Sequence, residues 1–427
     1  MGKGCYPRVT YARADIVVYR FVTNVRGMFS AVGPKFVPFS QDLVESWADV
    51  VVVGSGLYGL TAAEIISRKF KKKVLIIDRR LHIGGNAYSF FDQETGIEIH
   101  KYGSHLFHTS NPKVIDYVSR FTELNSYRHR VLTVSRNQVY SMPINLMTIN
   151  NFFGKTFSPD EARDFIAQRA RLESARESLG SLQGKCISLI GKDLYEAFIK
   201  GYTLKQWQTD PNLLPAEVIS RLPVRFNYND RYFQDVWEGL PTLGYEAWFL
   251  KMIENNQIRI SLGMDYFEIR DYLTTKKVIF TGPVDQFFDY NEGELAWRTL
   301  DFEQEKLEIQ DFQGTSVMNY ADEDVPYTRI HEFKHLHPER NYQLGTIIMR
   351  EFSRKAHRRD EPYYPVNSPE DREILRKYRK QSEVVPNVHF GGRLGTYQYL
   401  DMHMAIASAI TWAHNHFDYW FNREGAA

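Results

Sequence analysis

The chain has 427 residues, with 53 basic against 52 acidic side chains and a formal net charge of +1. That length supports two or three domains around more than one core, while the balanced charge excludes a global field that recruits nucleic acid or membrane, so any anionic ligand must be held by locally placed arginines. Two cysteines, Cys5 and Cys186, exclude a disulfide framework or a cysteine-ligated metal site, and with no apolar run near 18 residues no membrane span is expected and the protein is read as soluble and cytoplasmic.

The first 48 residues carry Arg8, Arg13, Arg20 and Arg26 with few acids and lack the apolar core of a secretory signal. Residues 1–47 are read as an N-terminal extension that is poorly ordered, or as the product of a misplaced start with Met28 as a later candidate. Val50-Val51-Val52-Val53 then predicts a strand buried on both faces. It runs into Gly54-Ser55-Gly56-Leu57-Tyr58-Gly59, which fits G-x-G-x-x-G: one glycine for the tight turn, one for backbone approach to a pyrophosphate, one for helix–strand packing. An amphipathic helix over Leu60–Phe70 would offer its N-terminal amides to phosphate. A second strand, Val74-Leu75-Ile76-Ile77, ends at Asp78 at the spacing of a ribose-gripping carboxylate, with Arg79 beside it.

Leu81 to Ala87, with Gly84, Gly85 and Asn86, reads as a second glycine-rich loop closing over the cofactor, which favours FAD over NAD. Short strands and turns follow from Phe90 to Phe107. Helix starts are read at Asn111-Pro112 and at Ser158-Pro159-Asp160-Glu161. The charged helical run to about Ser178 reads as a solvated face, and Lys185–Ile199 and Ala216–Arg221 extend an inserted helical region. Lys277 to Phe280 reads as a strand ending at Gly282 beside the cofactor. Trp297–Phe302, Thr315–Tyr320 and Tyr342–Met349 read as strands of an antiparallel sheet. Gly391-Gly392-Arg393 and an apolar helix from Asp401 to Phe417 close the pattern, the helix aiming its N-terminus at a flavin ring.

The resulting architecture is α/β. A Rossmann-like FAD-binding domain is assembled discontinuously from residues 48–125, 236–285 and 366–427. A helical domain with a mobile substrate lid spans 145–235, and an antiparallel β-sheet domain takes 126–144 and 286–365. Aromatics, 14% of the chain, concentrate in the insertions and suit a cleft lined by rings and hydroxyls.

Seven motifs in order carry a resemblance. They are His100-Lys101-Tyr102-Gly103-Ser104-His105-Leu106-Phe107-His108-Thr109, Gly201-Tyr202-Thr203-Leu204-Lys205-Gln206-Trp207, Arg221-Leu222-Pro223-Val224-Arg225, Val325 to Arg329, Glu361-Pro362-Tyr363-Tyr364-Pro365, Gly391-Gly392-Arg393, and Tyr399-Leu400-Asp401-Met402-His403. From about Asp49 to the last helix the chain resembles the UDP-galactopyranose mutases of bacterial type. The resemblance implies an isomerase that interconverts UDP-galactopyranose and UDP-galactofuranose without net redox change and supplies galactofuranose for cell-surface glycans. It implies FAD, active when reduced, whose N5 forms a covalent adduct with the anomeric carbon, so that the cofactor carries the covalent chemistry and the protein binds and orients. It further implies an electron donor for the flavin and a homodimer.

The resemblance also assigns residues. Arg221 and Arg329 are expected to clamp the diphosphate, since forked guanidiniums suit phosphate oxygens. Trp207 is placed on the lid, Tyr202 against the uracil with Phe198 and Thr203 nearby, and Tyr232, Tyr364 and Tyr399 as hydroxyl donors to the diphosphate. His129 and Asn319 face the sugar, and Asp401 serves either as substrate contact or as helix N-cap. Gly54, Ser55, Gly56, Tyr58, Gly59, Asp78, Arg79, Gly85, Asn86, Tyr102, His105, His108, Gly282, Gly392, Arg393 and Met402 are expected around FAD. The spacing His105-x-x-His108 has no neighbouring acid or cysteine in sequence, so no metal is expected. Two departures stand out: Asp78 replaces the more usual Glu, and Tyr342–Thr346 is slightly short. An FAD oxidoreductase of the amine-oxidase type, with an apolar tunnel in place of paired arginines, is the alternative; a non-enzymatic flavoprotein is a third reading.

Overall fold

The computed structural model describes residues 35–174, 179–216 and 224–422. Two sheets organise it. A five-stranded parallel sheet runs in the order Val388–Phe390, Lys277–Phe280, Val50–Val53, Val74–Asp78, Ile258–Leu262. The four valines take the centre, paired on one side with Lys277–Phe280 and on the other with Val74–Ile77, and all are buried. This is why that strand reads as an unbroken apolar run: a central parallel strand has no solvent face. The following helix, Leu57–Lys69, starts three residues before the expected Leu60.

The glycine turn is fixed by packing. Gly54 has φ +97°, and its amide donates to the Ile77 carbonyl at 2.8 Å. A Cβ on Gly59 would stand 2.1 Å from the Gly54 carbonyl oxygen, so only glycine lets the helix pack down onto the strand.

The second sheet has seven strands, in the order Tyr364–Pro365, Trp297–Leu307, Thr346–Lys355, Arg329–Glu332, Val317–Tyr320, Val131–Ser135, Gln138–Met142. Its pairings are antiparallel except one: Val317–Tyr320 runs parallel to Val131–Ser135, so the sheet is mixed rather than wholly antiparallel. The strand expected over Tyr342–Met349 sits further along, at Thr346–Lys355, because Gly345 turns the chain with φ +54° just before it. Trp297–Leu307 pairs with that strand along its full length.

Leu146–Phe153, Pro159–Ser174, Leu182–Tyr195, a π-helical turn Glu196–Lys200 and Gly201–Trp207 form a helical layer with its own apolar core. The helix read over Ala216–Arg221 falls outside the described residues beyond Ala216. Met402–Asn415 follows Asp401, which adopts N-cap geometry but makes no side-chain cap bond, so the first-turn amides of this helix stay open. No helix among the described residues is long and apolar enough to cross a membrane.

The expectation of poor order before residue 48 is corrected from Lys35 onward. Phe36 bridges Ile260 in parallel register, extending the edge of the parallel sheet. The Lys35 ammonium donates to the Ile253 carbonyl at 2.8 Å, and Leu43, Val44 and Ala48 are buried against the sheet. Burying Leu43 and Val44 stabilises by about 3–6 kcal/mol as an upper figure. A chain starting at Asp49 is therefore expected to melt lower by up to about 4–8 °C in differential scanning fluorimetry; an unchanged Tm would contradict this packing.

Candidate active site

A cleft opens at the carboxyl ends of the parallel strands, where Val53, Asp78 and Phe280 end, the usual ligand position in open α/β sheets. Gly54, Gly56, Tyr58 and Gly59 form its floor, with Gly85 and Asn86 facing them. A Cβ on Gly85 would come 3.0 Å from the Gly56 Cα, whereas one on Gly56 would meet nothing within 4 Å and would project into the open cleft. That is the geometry of a backbone cradle for pyrophosphate. The helix above it has no side-chain cap at Gly56, leaving its amides available to phosphate.

Asp78 is held rigidly at its strand end. One carboxylate oxygen accepts from the Ser55 amide at 2.7 Å and hydroxyl at 2.6 Å, and the other from the Arg80 amide at 2.9 Å. A carboxylate keeps spare lone pairs in this arrangement, enough for a ribose hydroxyl. Ser55 thus acts behind the wall, through Asp78. Arg79 and Arg80 share the Glu361 carboxylate at 2.8 and 2.6 Å, and Arg80 also donates to Asn86 Oδ1 at 2.8 Å.

On the far wall stand Gly282, Gly392, Arg393 and Met402, with His105 among them. Arg393 donates to the Tyr363 and Leu400 carbonyls at 3.0 and 2.5 Å and lies 4.9 Å from the Tyr399 ring centre. His105 Nδ1 is 2.8 Å from the Gly103 carbonyl; a carbonyl only accepts, so Nδ1 carries the proton and Nε2 is left as an acceptor. Burial, with a smaller push from Arg393, lowers the His105 pKa to about 4 and keeps the ring neutral.

Next to this wall is a buried polar cluster on the second sheet. Arg329 Nε lies 3.3 Å from Glu351 Oε1, and its Nη2 donates to the Tyr202 hydroxyl. Glu351 Oε2 is 3.0 Å from His331 Nε2, and His331 Nδ1 is 2.8 Å from the Ser104 hydroxyl. Burial alone would raise the Glu351 carboxyl, but Arg329 and His331 outweigh it and hold it at about 2. Tyr202, Tyr232 and Tyr364 all lie close enough to be felt by the Arg329 charge. The Tyr364 and Tyr399 rings are 5.9 Å apart, so hydroxyls run from Arg329 back to Arg393 at the cleft. Asn319 pairs with Arg329 in register, and its side-chain oxygen is buried without a partner.

A family model described as UDP-galactopyranose mutase matches residues 197–399, and one described as an NAD(P)-binding Rossmann-like domain matches 52–121. The probable UDP-galactopyranose mutase of Klebsiella pneumoniae is 43% identical over 365 residues, covering 85% of this chain and 93% of that protein. The chain belongs to the UDP-galactopyranose mutase family. The dTDP-fucopyranose mutase of Escherichia coli is 40% identical over 366 residues, covering 84% of this chain and 96% of that protein. A crystal structure of reduced UDP-galactopyranose mutase shares the fold with a TM-score of 0.66 at 14% identity, covering 87% and 94% of the two chains. A putrescine oxidase shares the fold alone, with a TM-score of 0.51 at 12% identity over 87% and 99%.

As a member of this mutase family the protein is an isomerase, and its cofactor is FAD. The glycine cradle, the uncapped helix and the anchored Asp78 fit a dinucleotide of that size. Three residues expected around FAD do not line the cleft: Ser55, which reaches it only through Asp78, Tyr102 and His108. Tyr102 stands behind Arg80, whose guanidinium lies 4.4 Å from its ring centre, and bonds His82 Nε2 at 2.7 Å. His108 turns its Nδ1 to Asp235 at 2.7 Å and stacks on Phe233 at 3.7 Å.

Among the substrate residues, Phe198 is packed in the helical core, 5.0 Å from Tyr140 and 5.4 Å from Phe152, and presents no open surface. Thr203 is buried beside it on the next turn, and Trp207 ends its helix half-buried. His129 is buried, its Nδ1 2.9 Å from the Tyr127 hydroxyl and its ring 5.4 Å from Tyr232. Arg221 lies outside the described residues. Asp401 comes together with His108 and His403, placing three donor atoms within 4.8 Å. The acid that the His105-x-x-His108 spacing lacked in sequence therefore arrives from the start of the helix Met402–Asn415.

The sequence reading missed Glu351, Arg80, Asp235 and Glu361, although Glu361 stood in one of the quoted motifs. A signal existed for Glu351: in strand alternation it falls on the same face as Ile347 and Met349, and an acid on a buried face needs a cation partner.

Burial lowers the pKa of His100, His105 and His129 to about 3, 4 and 3. Between these values and 6.5 the unfolded chain takes up protons that the folded chain refuses, so stability falls as pH drops below 6.5, by up to about 1.4 kcal/mol per pH unit for each histidine. Tm is expected to decline steadily from pH 7 to pH 5, and less steeply in His129→Asn; a flat profile would contradict neutral buried imidazoles.

Proposed function

We propose that this chain interconverts UDP-galactopyranose and UDP-galactofuranose, using FAD in its reduced state and supplying galactofuranose for cell-surface glycans. The observation that carries the reading is a chain of neighbouring side chains: from Arg393 on the cleft wall through Tyr399 and Tyr364 to the field of Arg329. A nucleotide sugar bound there would place its diphosphate on Arg329 and its sugar toward the flavin. Contracting a six-membered ring requires opening it at the anomeric carbon, and hence departure of UDP. When bound, reduced FAD supplies the N5 lone pair as the nucleophile for that carbon.

The chain's own residues do the rest. Arg329, with Arg221, holds the departing diphosphate and neutralises the charge it gains. Glu351 fixes the guanidinium in place, and Tyr202, Tyr232, Tyr364 and Tyr399 supply hydroxyls along the diphosphate. The Asn319 oxygen, buried and without a partner, offers an acceptor to a sugar hydroxyl. Neutral His105 presents Nε2 to the cleft without adding a competing cation. The 4-hydroxyl then closes the five-membered ring and UDP is returned. A cytoplasmic location, a homodimer and a separate electron donor belong to the same proposal and rest on the family resemblance alone.

The 40% identity to dTDP-fucopyranose mutase supports a second reading, with a thymine nucleotide and a 6-deoxy sugar. Under dithionite, the purified protein is offered UDP-galactofuranose and dTDP-fucofuranose in parallel and the nucleotide sugars are separated by chromatography. UDP-galactopyranose should form with the higher kcat/KM. Preference for the thymidine sugar would select the second reading, and no pyranose from either would overturn both.

A further inference from the structure

We infer that Arg225 is a positioning residue for nucleotide binding, acting through the turn that presents Tyr232. The inference rests on the nucleotide-sugar reading above and adds a residue that makes no contact of its own with substrate.

Arg225 is 8% exposed, yet none of its hydrogen bonds goes to a carboxylate. Its Nη1 donates to the Asn229 carbonyl at 3.0 Å and to the Arg231 carbonyl, and its Nη2 to the Tyr232 carbonyl at 3.4 Å. Its own amide donates to the Ile144 carbonyl at 2.9 Å, which roots it in the segment after Gln138–Met142. The nearest acid whose charge reaches it, Asp230, is taken by Arg130 at 3.1 Å.

Burying a cation is costly and is ordinarily offset by an acid. Here the cost is offset by three carbonyls of a single turn, so what the charge secures is the shape of that turn. A planar fork reaches several carbonyls at fixed angles, which a flexible ammonium does not do.

The turn is held from outside as well. Tyr232 donates its amide to the His129 carbonyl at 2.8 Å, and Arg231 pairs with Glu238 at 3.1 Å, while Glu238 accepts from the His129 amide at 2.5 Å. Gripped on both sides, the turn presents the Tyr232 ring, 46% exposed, beside His129 and within reach of the Arg329 field. A strong clamp under a single outward-facing hydroxyl is how a flexible loop would be made to hold a diphosphate ligand in one geometry.

The test uses the full-length holoenzyme and four variants: Arg225→Lys, Arg225→Met, Tyr232→Phe and the double variant Arg225→Lys/Tyr232→Phe. UDP affinity is titrated by flavin fluorescence, KM and kcat are measured for UDP-galactofuranose under dithionite, and FAD content is read from the visible spectrum. Tyr232→Phe should weaken UDP about fivefold to tenfold, and Arg225→Lys by as much despite keeping the charge. KM should rise in parallel, with kcat within about threefold and FAD content unchanged. The double variant should be no weaker than Arg225→Lys alone. UDP affinity within twofold of wild type in Arg225→Lys, multiplicative effects in the double variant, or loss of FAD from Arg225→Lys would each overturn the inference; the last would make Arg225 a general support of the fold. If wild-type protein itself fails to bind UDP, the nucleotide-sugar reading falls and takes this inference with it.

Discussion

Replacing Arg329 by alanine is expected to lower kcat/KM by about 100- to 1,000-fold, or about 2.7–4.1 kcal/mol of transition-state stabilisation, while the protein stays yellow. The two halves of that expectation have different causes. Arg329 sits outside the wall of the FAD cleft, on the neighbouring strand Arg329–Glu332, so its loss leaves the glycine cradle and Asp78 intact. The diphosphate, by contrast, loses a charge-assisted donor in a partly desolvated place, and UDP becomes a poorer leaving group. The substitution also leaves Glu351 buried without its guanidinium, with His331 and the Thr328 hydroxyl beside it, so Tm should fall as well. Arg329→Lys should recover part of the stability and little of the turnover, because the ammonium supplies charge without the fork. Steady-state kinetics under dithionite, together with the 450-nm band, check both halves. Activity within tenfold of wild type, or a colourless product, would contradict the placement of Arg329 on the diphosphate side.

Gly56→Val should have the opposite signature: a well-folded protein without flavin. Gly56 has φ −71° and ψ 176°, open to any residue, and a Cβ there touches nothing within 4 Å. Valine therefore costs the apoprotein little but projects into the cleft space over the glycine turn that a pyrophosphate needs. FAD affinity should fall at least about 100-fold, with apoprotein Tm within a few degrees of wild-type apoprotein. Gly59→Val is the control, because its side chain would collide with the Gly54 carbonyl and unfold the unit itself. Stoichiometric FAD in purified Gly56→Val would contradict the cradle.

The parts legible in the sequence are those specified by neighbours in the chain. Val50–Val53, the three glycines, the helix after them and Asp78 follow from local periodicity and turn chemistry, because a central parallel strand and a phosphate turn leave few alternatives. What was not legible depends on partners far along the chain. The pairing of Phe36 with Ile260 gives a segment read as a poorly ordered tail a place at the sheet edge, which no local pattern announces. Glu351 matters only once the sheet register sets its strand beside Arg329. Asp235 takes the Nδ1 of His108 across 127 positions, drawing that ring away from the cleft where the family resemblance placed it. Phe198 lies three residues before a motif and is expected near the uracil, yet helical packing against Tyr140 and Phe152 decides where its ring points.

The account stands on a reduced flavin and a guanidinium working on one nucleotide sugar. The most direct measurement is turnover of UDP-galactofuranose by the same enzyme preparation with its flavin oxidised and then reduced by dithionite, the sugars being separated by chromatography. Pyranose should accumulate only after reduction and cease when the flavin is reoxidised in air; equal turnover in the two states, or none in either, would contradict it.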